Sequence, residues 1–135
     1  MLNVYFAIAA NRVIVDSMTN QVSIIDLFEQ IKSPSFPVFI PKITLLYYVS
    51  REAGDPSSKG LLVKCKLDDE DIFNVNVQLD FKQEDSTRIV LGIDGLTLPK
   101  AGVFKAVLMD NDVELGVLDL VVELGKALSP PQNLY

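Results

Sequence analysis

The chain contains no histidine, no tryptophan and a single cysteine. Without an imidazole there is no histidine general base, no Ser-His-Asp triad and no histidine metal ligand. One thiol cannot close an internal disulfide or supply the several thiolates of a zinc site, and it fits a reducing compartment. Long apolar runs are missing too: no stretch approaches the ~20 apolar residues that a membrane-spanning helix needs. Residues 1–10 end in alanines, as a cleavage site would, but they lack a basic start and their apolar run is short. They do not read as a signal peptide, and Val4 to Ala9 read as a first core strand. These absences lead us to expect a cytoplasmic protein with no membrane segment.

Basic charge is scarce. There are 12 Lys+Arg against 18 Asp+Glu, for a formal net charge of -6, and the basic residues are scattered, the closest pair being Lys64 with Lys66. A phosphate backbone is held by clustered Lys and Arg, so no nucleic-acid partner is expected. No P-loop, Gly-x-Ser-x-Gly elbow or Rossmann glycine pattern occurs, and a serine nucleophile without histidine would need a lysine or similar base. We therefore expect no enzyme and no cofactor.

What is present favours strands. There are 16 Val, 10 Ile and 7 Phe against 7 Ala. Branched and aromatic side chains suit a pleated, half-buried surface, whereas Ala is the best helix former. The clearest element is Phe73-Asn-Val-Asn-Val-Gln-Leu-Asp-Phe81, in which apolar and polar residues alternate. A period of two places Phe73, Val75, Val77, Leu79 and Phe81 on one face and Asn74, Asn76, Gln78 and Asp80 on the other. Residues 61–67 alternate in the same way, with Val63, Cys65 and Leu67 facing one side and Lys64 and Lys66 the other. Asp68-Asp-Glu-Asp71 between them fits a hairpin.

Further on, Ile89, Leu91 and Ile93 alternate, Asp94-Gly95 reads as a turn, and Pro99-Lys-Ala-Gly102 as another. Asp110-Asn-Asp112 separates two apolar runs as a tight hairpin tip, since Asn and Asp tolerate left-handed backbone angles. In the last run Leu118, Leu120, Val122 and Leu124 share a face. In the N-terminal half, residues 4–16 are long for one strand, and Asn11-Arg12 marks a bulge or break. Ser17-Met-Thr-Asn20 is a turn. Residues 22–27 read as strand, although Ile24, Leu27, Phe28 and Ile31 also have helical spacing. Residues 33–41 carry three prolines, which donate no backbone hydrogen bond, so this segment is expected as extended loop or edge. Residues 43–49 form a near-continuous apolar strand covered on both faces.

About eight short strands with turn signals between them predict an all-β fold, an antiparallel β-sandwich of immunoglobulin-like or jelly-roll-like type. The length fits one domain, 1–124, with a tail over 125–135.

Asn20-Gln-Val-Ser-Ile-Ile25, Phe28-Glu-Gln-Ile31 and Phe36-Pro37, together with Leu96-Thr-Leu-Pro99 and Gly102-Val-Phe104, resemble the two ends of a family of small bacterial domains of unknown function. The resemblance spans nearly the whole chain. It implies a β-sandwich and a bacterial or phage-related source, and it brings no catalytic residues.

The candidate sites are few. Asp68-Asp-Glu-Asp71, and Asp110, Asp112 and Glu114, could hold a cation if the two tips met in space, but charge at a hairpin tip is ordinarily solvated, and the EF-hand spacing is missing. Cys65 on an apolar strand face reads as a small buried hydrophobe. The aromatic concentration at Phe36, Phe39, Tyr47 and Tyr48 is the candidate protein contact, set against plain core cover. Ser129-Pro-Pro131 with Leu134 and Tyr135 could dock on a partner. The expected role is a non-catalytic module that contacts a protein or self-associates through a sheet edge, with small-ligand binding (carbohydrate or metal) as the alternative.

Overall fold

A computed structural model of the chain describes residues 1–125. The proline-containing tail segment, with Leu134 and Tyr135, lies outside the described residues. Nine strands follow in order: β1 (Asn3–Val15), β2 (Val22–Leu27), β3 (Gln30–Ser33), β4 (Val38–Ser50), β5 (Ser58–Leu67), β6 (Glu70–Asp80), β7 (Ser86–Leu98), β8 (Gly102–Asp110) and β9 (Val113–Leu124). They form a four-stranded sheet, β2-β1-β4-β7, and a five-stranded sheet, β3-β9-β8-β5-β6. No helix of the described residues is long and apolar enough to cross a membrane.

From β4 onward the strand order is immunoglobulin-like: β4 and β7 pair in one sheet, and β9-β8-β5-β6 make the other. This decides against the jelly-roll alternative. The expected β-sandwich is present, with nine strands among the described residues where about eight were expected, and one pair departs from the antiparallel pattern: β3 lies parallel to β9. β2 and β3 are one run of chain that changes sheets at Phe28-Glu29, so no hairpin forces β3 to run against its neighbour.

Alternation explains the layers. On β6 the side chains of Phe73, Val75, Val77 and Leu79 are half or fully buried, while Asn74, Asn76 and Gln78 are exposed. β5 buries Leu61, Val63, Cys65 and Leu67 and leaves Lys64 and Lys66 at the surface. Opposite them, Ile43, Leu45, Tyr47 and Val49 of β4 complete the core with Phe104 and Leu108. The Tyr47 hydroxyl donates to the Ala106 carbonyl at 2.9 Å, a buried hydrogen bond from β4 to β8. It ties together the two strands that a disulfide joins in antibody domains.

The turns follow their residues. Asp68 and Asp69 both have positive φ (48 and 68), as a two-residue hairpin loop of the primed type needs. Asn111 (φ 53) does the same at the β8–β9 tip. Asp94-Gly95 is not the expected turn. β7 runs straight through it, and Gly95 (φ 84) forms an irregularity at which the ladder steps from Lys42↔Asp94 to Ile40↔Leu96. Pro41 sits opposite this gap. Residues 38–41 therefore belong to β4, which is otherwise central, but β1 stops pairing with β4 at Thr44. The proline occupies a stretch with one neighbour, where a missing N–H costs nothing.

β1 is continuous, but its neighbour changes near the expected break. Up to Ala10 it pairs with β4, and from Ala10 onward only with β2. Beyond that point the β1–β2 hairpin leans over the outer side of the four-stranded sheet. Arg12, Val13 and Ile14 face Lys42, Thr44, Val90 and Gly92 across a shallow groove of about 190 Å³. Thr44 Oγ1 donates to the Asn11 carbonyl at 3.2 Å. At the hairpin tip Arg88 Nη2 donates to the backbone and side-chain oxygens of Asn20. This arm helps to explain why Leu46, which points away from the core, is wholly buried.

Candidate functional site

The four aromatic residues expected to form a contact do not come together. Phe36 is half-buried and packs against the core. Tyr47 has no exposed surface and faces the interior, which corrects its assignment to a contact surface: on β4 its neighbour Tyr48 points out, so Tyr47 must point in. Phe39 is 62% exposed and its ring lies over Gly95, filling space that glycine leaves open. Tyr48, at the far end of β4, is half-buried.

Tyr48 instead joins two residues that the sequence reading had placed in a core strand. Its ring lies 5.8 Å from Tyr5 and 5.6 Å from Phe6, tilted to both. The cause is a β-bulge in β1 between Val4 and Phe6. A bulge sets two residues against one on the partner strand and re-aims a side chain. Tyr5 and Phe6 are both exposed as a result, 53% and 43%, while Val4 and Ala7 turn to the core. The signal in the sequence was the pair of adjacent aromatics, which strict alternation cannot place on one face.

The aromatic cluster continues into an apolar surface. On the outer side of the four-stranded sheet Val90 is a neighbour of Leu46, and Leu27 of Ala10, with Ile14 along the arm; Val90, Leu27 and Ile14 are exposed. Tyr48 has Arg88 as its cross-strand neighbour. The outer side of the five-stranded sheet differs. It carries more charge: Lys64 neighbours Asn74, Lys66 neighbours Asp71 and Lys105, and Lys105 neighbours Asp119, beside a row of Val107 and Val117 and a pair of Val103 and Val121.

The remaining candidates have local explanations. The two acidic tips lie at opposite ends of β8: Asp68 accepts the Val103 N–H at 2.8 Å, while Asp110 closes the other end and accepts from Lys59 Nζ at 2.7 Å. Among the described residues no group of three or more His, Cys, Asp or Glu is arranged to hold a metal ion. Cys65 is buried on the core face of β5, and burial pushes its thiol up to about 12. Asp16 Oδ1 accepts the N–H groups of Met18 (2.8 Å) and Thr19 (3.2 Å), which hold its carboxyl below the usual range. A groove of about 610 Å³ opens where β6 and β7 pass between the sheets; it contains Asp80, which accepts the Lys82 N–H, and Glu84. A second, of about 550 Å³, has Gly60, Leu62 and Met109 beside the amides of Asn76, Gln78 and Asn111.

Fold and surface together define a small β-sandwich domain of immunoglobulin-like strand order carrying an exposed aromatic cluster. The chain belongs to the family of unknown function DUF6941, which matches residues 5–123. A search among curated proteins found none that matches.

Proposed function

We propose that this protein is a non-catalytic docking domain that holds another protein against the outer side of its four-stranded sheet. The observation that carries the reading is the clustering of Tyr5, Phe6 and Tyr48 on that side, which also exposes Val90. Aromatic side chains supply large contact area at low conformational cost, and exposed apolar patches of this kind mark interaction sites. A buried, unpaired Cys65 fits work in a reducing compartment.

Paired variants test this. Phe6→Ser with Tyr48→Ser is expected to abolish recovery of a specific partner from host extract. Asn74→Ser with Asn76→Ser, on the other sheet, leaves recovery unchanged. Retention of the same partner by the first pair would end the proposal.

A second reading rests on the amide-lined groove at Asn76, Gln78 and Asn111, whose mix of amides and apolar walls suits a small polar ligand such as a carbohydrate. Titration of ¹⁵N-labelled protein with simple sugars is its test, and an unchanged spectrum retires it. Self-association through the exposed edges of β6 or β7 is a third arrangement, read directly by light scattering.

A further inference from the structure

We infer that the sandwich takes up an extended segment of another protein as an added strand, paired with the free edge of β7 and lying opposite β6. This is independent of the docking side proposed above, because it concerns an edge of the four-stranded sheet and not its outer side. The observation is an unequal stacking of the two sheets. Val4 of β1 lies against Gly116 of β9, and the Tyr47 hydroxyl of β4 reaches the Ala106 carbonyl of β8. With β1 over β9 and β4 over β8, the strand orders put β7 over β5 and leave β6 with no strand opposite it. The burial pattern agrees. On β5 the inward Leu61, Val63 and Cys65 are buried. Their cross-strand neighbours on β6, Val77, Val75 and Phe73, face the same way and are only half-buried. A groove of about 610 Å³ opens in this position, between Val77 and Leu79 of β6 and Ser86 to Val90 of β7.

The position left open is one strand wide, and the backbone beside it is unpaired. Among the described residues β7 pairs with β4 alone, in an unbroken ladder from Ser86 to Asp94. A strand paired on one side turns the N–H and C=O of every second residue outward. Over this stretch β7 carries neither proline nor lysine, the residues that usually blunt an edge. Asn20, at the tip of the arm, hydrogen-bonds to β7 through the Arg88 side chain and leaves the backbone free. The opposite side of the sandwich is closed by short edges, six residues in β2 and four in β3. An extended segment meets both needs of the open side. Its backbone completes the ladder, and alternate aliphatic side chains cover Phe73, Val75 and Val77. A small ligand meets only a fraction of a ladder roughly 30 Å long. A second copy brought up β7 to β7 is disfavoured, because β6 of each sandwich projects beyond its β7 and would run into the other's β5 and β6.

The test is an NMR titration of the full ¹⁵N-labelled chain with a synthetic peptide alternating Val with Thr, long enough to span Ser86 to Asp94 and flanked by lysines for solubility. Two further peptides carry N-methyl groups on its odd or on its even residues. Pairing with β7 uses the N–H groups of one parity only, so one methylated peptide is expected to bind about tenfold or more weakly and the other like the parent. The parent is expected to shift the amides of Ser86 to Asp94, Val75 and Val77, and to slow amide exchange along β7. Val75→Asp, on the inner side of β6, is expected to weaken binding about tenfold, while Asn76→Asp, which adds the same charge on the outer side, leaves it unchanged. The methylated pair decides the question in the native chain even if Val75→Asp does not fold. Equal affinity of the two methylated peptides, no shift with the parent, or a dimer by light scattering that already protects β7 would each overturn strand addition. Shifts confined to Tyr5, Phe6 and Tyr48 would overturn it and leave the docking side standing.

Discussion

The two sheets of this sandwich share one core and differ on their outer sides. β6 obeys the alternation rule to the surface, where Asn74, Asn76, Gln78 and Asp80 stand, and β5 and β8 set Lys64, Lys66 and Lys105 there among Leu62, Val103 and Val107. β1, β4 and β7 break the rule. Their outer side carries Phe6, Tyr48, Leu46 and Val90, and a hairpin arm crosses part of it. A strand with one wet face needs polar residues there, and a strand that lacks them is covered, either by its own chain or by something else. Here the chain covers Leu46, leaves Tyr48 half-buried and leaves Tyr5 and Phe6 in the open.

The largest expected difference between the sides comes from placing a carboxylate on each. Leu46→Asp buries an unpaired charge and is expected to cost about 3 kcal/mol or more, whereas Lys64→Asp on the other side should stay within about 0.5 kcal/mol. Urea denaturation of both variants measures this. Similar losses would mean that the two sides are equally covered. The core boundary comes next. If the lysines of β5 face water, Cys65 does not, and its labelling by a thiol reagent should be slower than in the denatured chain by on the order of a hundredfold or more, because it requires opening of the sheet. The same burial has a pH consequence. The native thiol is raised above its ordinary value of 9.0 to about 12, so its contribution to stability is complete below pH 9.0 and is lost as pH climbs toward 12. A flat stability profile over that window would contradict the assignment.

Smaller effects probe what holds the four-stranded sheet in place. Tyr47→Phe removes the interior hydrogen bond to Ala106 and is expected to cost about 1 kcal/mol with no change in the exposed side. The smallest is local. Asp16 has a depressed carboxyl, so its grip on the Met18 and Thr19 amides is present above the ordinary carboxylate range and is released as pH falls through its lowered value. Amide exchange at Met18 and Thr19 should quicken in that acid range while β8 amides do not change. Uniform quickening would mean that the arm does not move by itself.

These differences also mark how much was legible in the residues. The period of two on β6 and β5 gave the register, the core face and the position of Cys65, because a half-buried strand leaves a pattern that only one face can satisfy. The hairpin tips at Asp68 and Asn111 were legible for the same reason, since few residues accept positive φ. The four-stranded sheet was harder. Pro41 and Gly95 look like loop signals, yet each sits where the other leaves the ladder open. Tyr47 and Tyr48 look alike in the sequence and differ completely in exposure, because adjacent residues on a strand point to opposite sides. Tyr5 and Phe6 were hidden by a bulge, an irregularity of one residue that no periodic pattern announces.

The central claim is that the outer side of the four-stranded sheet is where this protein meets another. Carbene footprinting of the tagged chain in buffer and in host-cell extract, read residue by residue, tests it directly. The account predicts that Tyr5, Phe6 and Tyr48 lose label in extract while Val117 and Val121 on the five-stranded sheet keep theirs. Protection confined to Val117 and Val121, or equal labelling of the aromatic residues in both solutions, would contradict it.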